Sequence, residues 1–376
     1  MLRIKAKDVL FFRTGRSFNR TFDINAETFF PPYPSTIYGA LRTAYFMQKG
    51  SFEDFKNGKF KDAIGLPREN SFDEKGSFKI KGTFLKNGDK IFLPMPIDLV
   101  KTKEVEGKKV YRLRIIKNEV ISNNTFGYLL LSPQDKENVK NLTNCFLDLD
   151  NLKQYLNNEK KKEFEFQSLE ELIIKEPKIG IKLNKNSKTT EKKYLYRYDL
   201  IRPVKGKLDD KNIEETFILV DYEGINDFDE SFYFKIGGEG KVSKAEKVSQ
   251  KVDSLLTNET KEIIKNKKEF KLYLSTPSIF KNGSIPFEKI EENILRYKDL
   301  KLELLTFSTT KNLIYSGWDI NLGRPKKSMK MVAAGTVYYF KLIDGEPEKI
   351  FEYFDYKNIS DILPEEGFGL SFVGII

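Results

Sequence analysis

Apolar and polar positions alternate at the start of the chain: Leu2, Ile4 and Ala6 stand against Arg3, Lys5 and Lys7, and the unbroken run Val9-Leu10-Phe11-Phe12 follows. A period of two is that of a strand with one wet face, and the apolar run carries it into a core. The period changes after Pro31, Pro32 and Pro34. Ile37, Leu41, Ala44 and Tyr45 recur at three- and four-residue spacing, which predicts a helix from Ser35 to Gln48, with Tyr38, Arg42 and Tyr45 as a neighbouring stripe. Its start is braked by proline and offers Ser35 and Thr36 as hydroxyl caps. Such a helix start, with its unpaired N–H groups, suits an anion.

Further along, alternating runs at 78–84 and 90–94 flank Asn87-Gly88-Asp89, the signature of a β-hairpin. Strands are predicted at 110–117 and 126–131. The stretch 132–176 is polar and reads as helical in part, with 157–162 as a solvated run. Strand patterns at 178–183 and 194–202 are separated by a basic tip, 185–193, that has no apolar residue to bury and is expected to be mobile when alone. Strands resume at 217–222 and 232–236, ending in Gly237-Gly238-Glu239-Gly240. Residues 245–268 read as a helix broken near Asn258, and a second β-rich region begins at Phe270. The expected organisation is an N-terminal domain over 1–245 and a C-terminal domain over 246–376, with no sequence repeat between them.

Composition narrows the chemistry. The chain of 376 residues contains no histidine and one cysteine, Cys145. Without imidazole, serine–histidine and cysteine–histidine nucleophile systems are excluded, as are the usual zinc ligand sets. Neither a metal nor another cofactor is expected. A single cysteine forms no internal disulfide, no apolar run reaches the roughly 20 residues of a membrane span, and Met1-Leu2-Arg3-Ile4-Lys5 has no signal-peptide core. The expectation is a cytoplasmic protein. Net charge is +10, which favours a polyanionic partner. Arginine is the more telling cation: of twelve, five fall in the first 42 residues, namely Arg3, Arg13, Arg16, Arg20 and Arg42. A guanidinium fork meets phosphate with two parallel hydrogen bonds, so this concentration reads as a contact surface.

Several separated blocks resemble the RAMP superfamily, specifically subunit three of the Cmr effector complex of type III-B CRISPR systems. They are residues 8–18, 31–42, Gly180-Ile181-Lys182-Leu183 with Leu195-Tyr196, Gly237-Gly238-Glu239-Gly240-Lys241 and 274–280. Ser316-Gly317-Trp318-Asp319 with Gly323-Arg324-Pro325-Lys326, 333–340 and the terminal glycine-rich 367–374 follow, in the family's order. Residues 132–175 match nothing in that family. The resemblance implies an α+β fold of two ferredoxin-like (RRM-type) modules with long insertions. It also implies a non-catalytic subunit that holds the 5′ handle of the guide RNA while contacting the large polymerase–cyclase subunit and a backbone RAMP subunit in antiviral defence. No membrane contact is implied.

The RNA-contacting candidates are Arg13, Gly15, Arg16 and Arg20 at the strand end, and Ser35, Thr36, Tyr38, Gly39 and Arg42 on the helix. Gly238, Gly240 and Lys241, then Trp318, Arg324 and Lys326, then Gly367 and Gly369 complete them. Bland roles compete at several positions. Arg42 suits a core hydrogen-bond network as well as a phosphate, and Trp318 a core anchor as well as a stacking platform. The run 367–374 suits a terminal strand as well as a phosphate loop. Gly39 in mid-helix costs roughly 1 kcal/mol relative to alanine, which a close approach by the sheet or by RNA would justify. Two other functions stand beside the RNA-binding subunit: a metal-independent endoribonuclease processing guide-RNA precursors, and a purely protein-docking subunit whose charge is compositional.

Overall fold

The computed structural model describes residues 1–13, 25–26, 28–66, 74–102, 107–119, 126–133, 139–158, 160–183, 187, 189–206, 213–319 and 323–376. Its N-terminal half contains β1 (Leu2–Ala6), α1 (Pro34–Lys49), β2 (Lys79–Asn87), β3 (Lys90–Pro94), β4 (Cys145–Asp148) and α2 (Leu149–Asn157). Then come β5 (Ile174–Leu183), β6 (Thr190–Arg202), β7 (Glu214–Glu223), β8 (Ser231–Lys235) and β9 (Val242–Lys247). The C-terminal half contains α3 (Asn258–Lys267), β10 (Glu269–Leu274), β11 (Leu300–Ser308), β12 (Val337–Asp344), α4 (Glu348–Phe354) and β13 (Leu370–Gly374).

Each half is built on an antiparallel sheet. In the first, the strands stand in the order β4-β3-β2-β7-β1-β9-β8. The alternation read at the N-terminus is seen directly, with Leu2 and Ile4 buried and Arg3 and Lys5 half-exposed. The predicted hairpin is present: β2 and β3 pair Asn87 with Lys90, and Gly88 turns the chain at φ +56°. In the second sheet the order is β11-β12-β10-β13. The longest helix of the β1–β2 crossover is α1, followed there by two short helices at Phe52–Lys56 and Lys61–Ile64, and α4 forms the crossover between β12 and β13.

Two expectations change. Residues 245–247 are strand, not helix: Ala245 sits fully buried in β9, paired with Ile4 on one side and Phe232 on the other. The helix starts only at Asn258, where the Thr257 hydroxyl accepts from Thr260 N. The strand predicted over 110–117 is two pieces, Lys109–Arg112 and Arg114–Lys117, that join different sheets.

The core follows the two sheets. One face of the first sheet packs on α1 through Ile37, Leu41, Tyr45 and Ile80. Part of its other face meets the second sheet directly, where Phe84, Leu219, Tyr273, Phe372 and Leu370 share one buried cluster.

Candidate nucleic-acid interface

Beyond β1, backbone hydrogen bonds pin the apolar run. Leu10 exchanges both with Ile201 of β6 at 2.7 and 2.8 Å, and Phe12 O accepts from Phe29 N. On the other side Phe11 O accepts from Gly238 N at 2.7 Å. The approach is so close that only glycine fits next to it: Gly237 lies at φ +77°, and a Cβ there would stand 2.4 Å from Phe11 O. Val9, Phe11, Tyr198 and Leu200 form a small separate core, with the rings of Phe11 and Tyr198 5.0 Å apart. The Tyr198 hydroxyl donates to Glu239, and burial keeps this phenol neutral by pushing its pKa up.

Three blocks singled out in the sequence thus meet at one place: the strand end, the hairpin β5–β6 and the glycine turn. Arg13 bridges to Thr28 and is exposed at this junction. Lys241, whose carbonyl accepts from Ile236 N, is half-buried in the turn that Phe11 O holds, and Gly238 and Gly240 shape that turn. Gly15, Arg16 and Arg20 lie outside the described residues, as do 185, 186 and 188 of the basic tip. The sequence reading missed Lys178 and Arg197 on the hairpin, where Arg197 pairs with Ile179 across the ladder. The alternation of the two strands was the signal for them. Arg202 is occupied, holding Glu176 and Asp8.

The helix α1 is present over the expected span, but its residues divide. Its N-cap is Tyr33 with no side-chain cap; Thr36 N donates to Tyr33 O, so Ser35 and Thr36 are half-buried first-turn residues rather than caps. Tyr38 is 2% exposed, with its ring stacked on Phe78 at 5.1 Å and the Lys75 amine over it at 4.7 Å. A ring so placed offers no free face to a base. Arg42 is 7% exposed; its Nε donates to Ile64 O at 2.7 Å and its guanidinium lies 4.7 Å from the Phe55 ring. It serves the core network. Gly39 is exposed, with nothing within 4 Å of the point where a Cβ would stand, so no approach by the sheet explains it.

The terminal glycines are also internal. Gly367 is buried at φ +96°, where a Cβ would be 2.8 Å from Ile80 and 3.0 Å from Pro34. Gly369 is buried at φ +75°, where a Cβ would be 2.5 Å from Ser360 N. Gly367 lets side chains of the N-terminal half pack against it, and Gly369 lets the chain at Ser360 in its own half pass close, which corrects their reading as a phosphate loop. Between them and α1 runs a chain of aromatic contacts, Phe29–Tyr33 at 4.3 Å, Tyr33–Tyr315 at 6.0 Å and Tyr315–Phe368 at 5.3 Å. Burial pushes the Tyr33 phenol up to about 12. Tyr315 begins a ladder in which Leu313–Tyr315 pairs with Met329–Met331 and Trp318–Asp319 with Arg324–Pro325. Backbone pairing places Trp318 and Arg324 there, while their side chains lie outside what is described; Lys326 N closes the turn on Gly317 O at 2.8 Å. The segment 28–34 therefore links the Arg13 junction to the Trp318 hairpin.

The model of one family, CRISPR-associated protein (Cas_Cmr3), matches residues 2–375. The chain belongs to this family. The resemblance to subunit three of the type III-B Cmr effector complex, read from separated blocks of sequence, is thereby borne out over the whole length. Among solved structures, the type III-B Cmr-beta complex bound to cognate target RNA and AMPPnP contains a chain 18% identical, with a TM-score of 0.49, covering 90% of this chain and 85% of that one. The same complex bound to cognate target RNA gives 18% identity, a TM-score of 0.47, and coverage of 90% and 86%. No curated protein matches. In this Cas_Cmr3 chain, no described helix is long and apolar enough to cross a membrane. Among the described residues no group of three or more histidine, cysteine, aspartate or glutamate side chains is placed to hold a metal ion.

Proposed function

We propose that this Cas_Cmr3 subunit of a type III-B CRISPR complex is a non-catalytic RNA-binding protein that caps the 5′ handle of the guide RNA. It docks the large polymerase–cyclase subunit and a backbone RAMP subunit. The observation that carries the reading is the junction at Phe11: the strand end that bears the exposed Arg13 is held to a lysine-bearing glycine turn by the backbone hydrogen bond from Gly238 N to Phe11 O. Cations fixed on rigid backbone position a phosphate chain without reading its bases. The paired sheets support two ferredoxin-like modules divided near residue 245. In both, four strands stand in the order fourth-first-third-second, β9-β1-β7-β2 and β13-β10-β12-β11, each with one helical crossover retained.

The test is crosslinking from a photoreactive nucleotide in the 5′ handle within the assembled complex. Peptides spanning 8–13 and 235–241 are the expected products; a handle crosslinked only to other subunits contradicts the proposal. Incubation of the purified chain with labelled repeat RNA, with and without magnesium, tests the endoribonuclease alternative, and intact RNA is expected in both.

A further inference from the structure

The face of the first sheet turned away from α1 is only partly covered. Side chains on it lie in rows that cross the strands. One row runs Phe84, Leu219, Arg3, Glu246 and Ser231, fixed by the registers of β2, β7, β1, β9 and β8. Phe84 and Leu219 are buried under the C-terminal half. In the next row Lys86 pairs with Phe217, Lys5 with Lys244, and Lys244 with Tyr233. This row is open: Tyr233 is 62% exposed, and Phe217 is only half-buried.

Aromatic rings stand among cations across it. The Lys7 amine stands 5.0 Å from the Tyr233 ring and the Arg3 guanidinium 5.0 Å from the Phe217 ring. Two carboxylates are present. Glu215 pairs with Lys5 at 2.6 Å, and Glu246 is held down to about 2 by hydrogen bonds from Arg3 and Lys244. Lys7, Lys86 and Lys235 have no carboxylate partner among the described residues, so the face keeps a positive excess. Lys235 ends β8 and leads directly into the glycine turn that holds Phe11.

We propose that this open face is a second contact for the same single strand of RNA, with Tyr233 stacking on a base and Lys7 and Lys235 meeting phosphates. The inference rests on the RNA-binding role argued above. An exposed ring set among lysines suits unpaired bases on a charged backbone. The centre of a protein–protein contact is depleted in charge, and this surface is not.

The experiment uses the full chain and a labelled single-stranded RNA long enough to cross both surfaces, with affinity measured over a salt series. Tyr233→Ala is expected to raise Kd about tenfold and Tyr233→Phe to leave it unchanged, with thermal unfolding of both as in the parent. Lys7→Gln with Lys235→Gln is expected to flatten the log–log salt slope by about 0.7 per removed charge. If Tyr233→Ala binds RNA normally while Arg13→Ala binds weakly, the second contact is overturned and the Arg13 junction stands. If Tyr233→Ala binds weakly and Arg13→Ala normally, the junction falls and the sheet face stands. If Tyr233→Glu releases a neighbouring subunit from the complex while RNA affinity is untouched, the face docks protein and the inference is overturned.

Discussion

Gly39 and Gly369 look alike in sequence and differ entirely in what they tolerate. Gly369 sits at φ +75° with a backbone nitrogen where its methyl would go. Gly369→Ala is expected to cost at least 1–3 kcal/mol, roughly the strain of a side chain in that region, read as a lowered unfolding midpoint. Gly39 faces open space within a helix, so Gly39→Ala is expected to stabilise the fold by about 0.5–1 kcal/mol. Weaker RNA binding by that more stable variant would show that RNA uses the bare backbone there; unchanged binding would show that it does not. Sequence alone does not separate these glycines, because φ and the neighbouring chain are properties of the tertiary structure. The same limit applies to Tyr38 and Arg42. Their helical spacing was legible, but only the position of Phe78 and Phe55 across the core decides that both point inward.

Elements with a strong local signal were legible and those made by long-range pairing were not. The β2–β3 hairpin and α1 were both evident, because turn chemistry and apolar period act within a few residues. Strand β9 was misread because Ala245 and its charged neighbours fit two periods, and one of its two partners, β1, lies more than 200 residues away. Capping is the element-scale feature most open to test. The Asp148 carboxylate accepts from Asn151 N at 2.9 Å at the start of α2 and also holds Lys90 at 2.8 Å. Asp148→Ala is expected to lower unfolding stability by about 1 kcal/mol in urea titration. An unchanged midpoint would show that α2 is held by its packing alone.

At the scale of the molecule, a buried polar cluster joins the region 98–155 to the C-terminal sheet, and nothing in the sequence announced it. Asp98 accepts from the hydroxyls of Tyr155 and Tyr339 at 2.7 and 2.6 Å. Lys271 donates to Tyr155 O at 2.9 Å, as does Arg112 at 2.8 Å. Desolvation, with Arg112 beside it, holds the Lys271 amine well below the usual lysine range. One carboxylate and one guanidinium balance each other, so a protonated amine adds a net buried charge, which is what draws its pKa down. Between the folded and the unfolded pKa the unfolded chain binds a proton there that the folded one does not, so across that window this group makes stability rise with pH, up to about 10.4. Lys271→Met is expected to raise the unfolding midpoint at neutral pH and to remove that rise. A lower midpoint with the pH dependence intact would mean that the amine is charged in place.

The junction at Phe11 carries the functional account, and the salt dependence of guide-RNA binding by the full chain tests it most directly. The account predicts that Arg13→Ala with Lys241→Ala weakens binding and flattens the log–log slope by about 0.7 per removed charge, with the unfolding midpoint unchanged and the RNA recovered intact. Affinity and slope equal to those of the parent chain would contradict it.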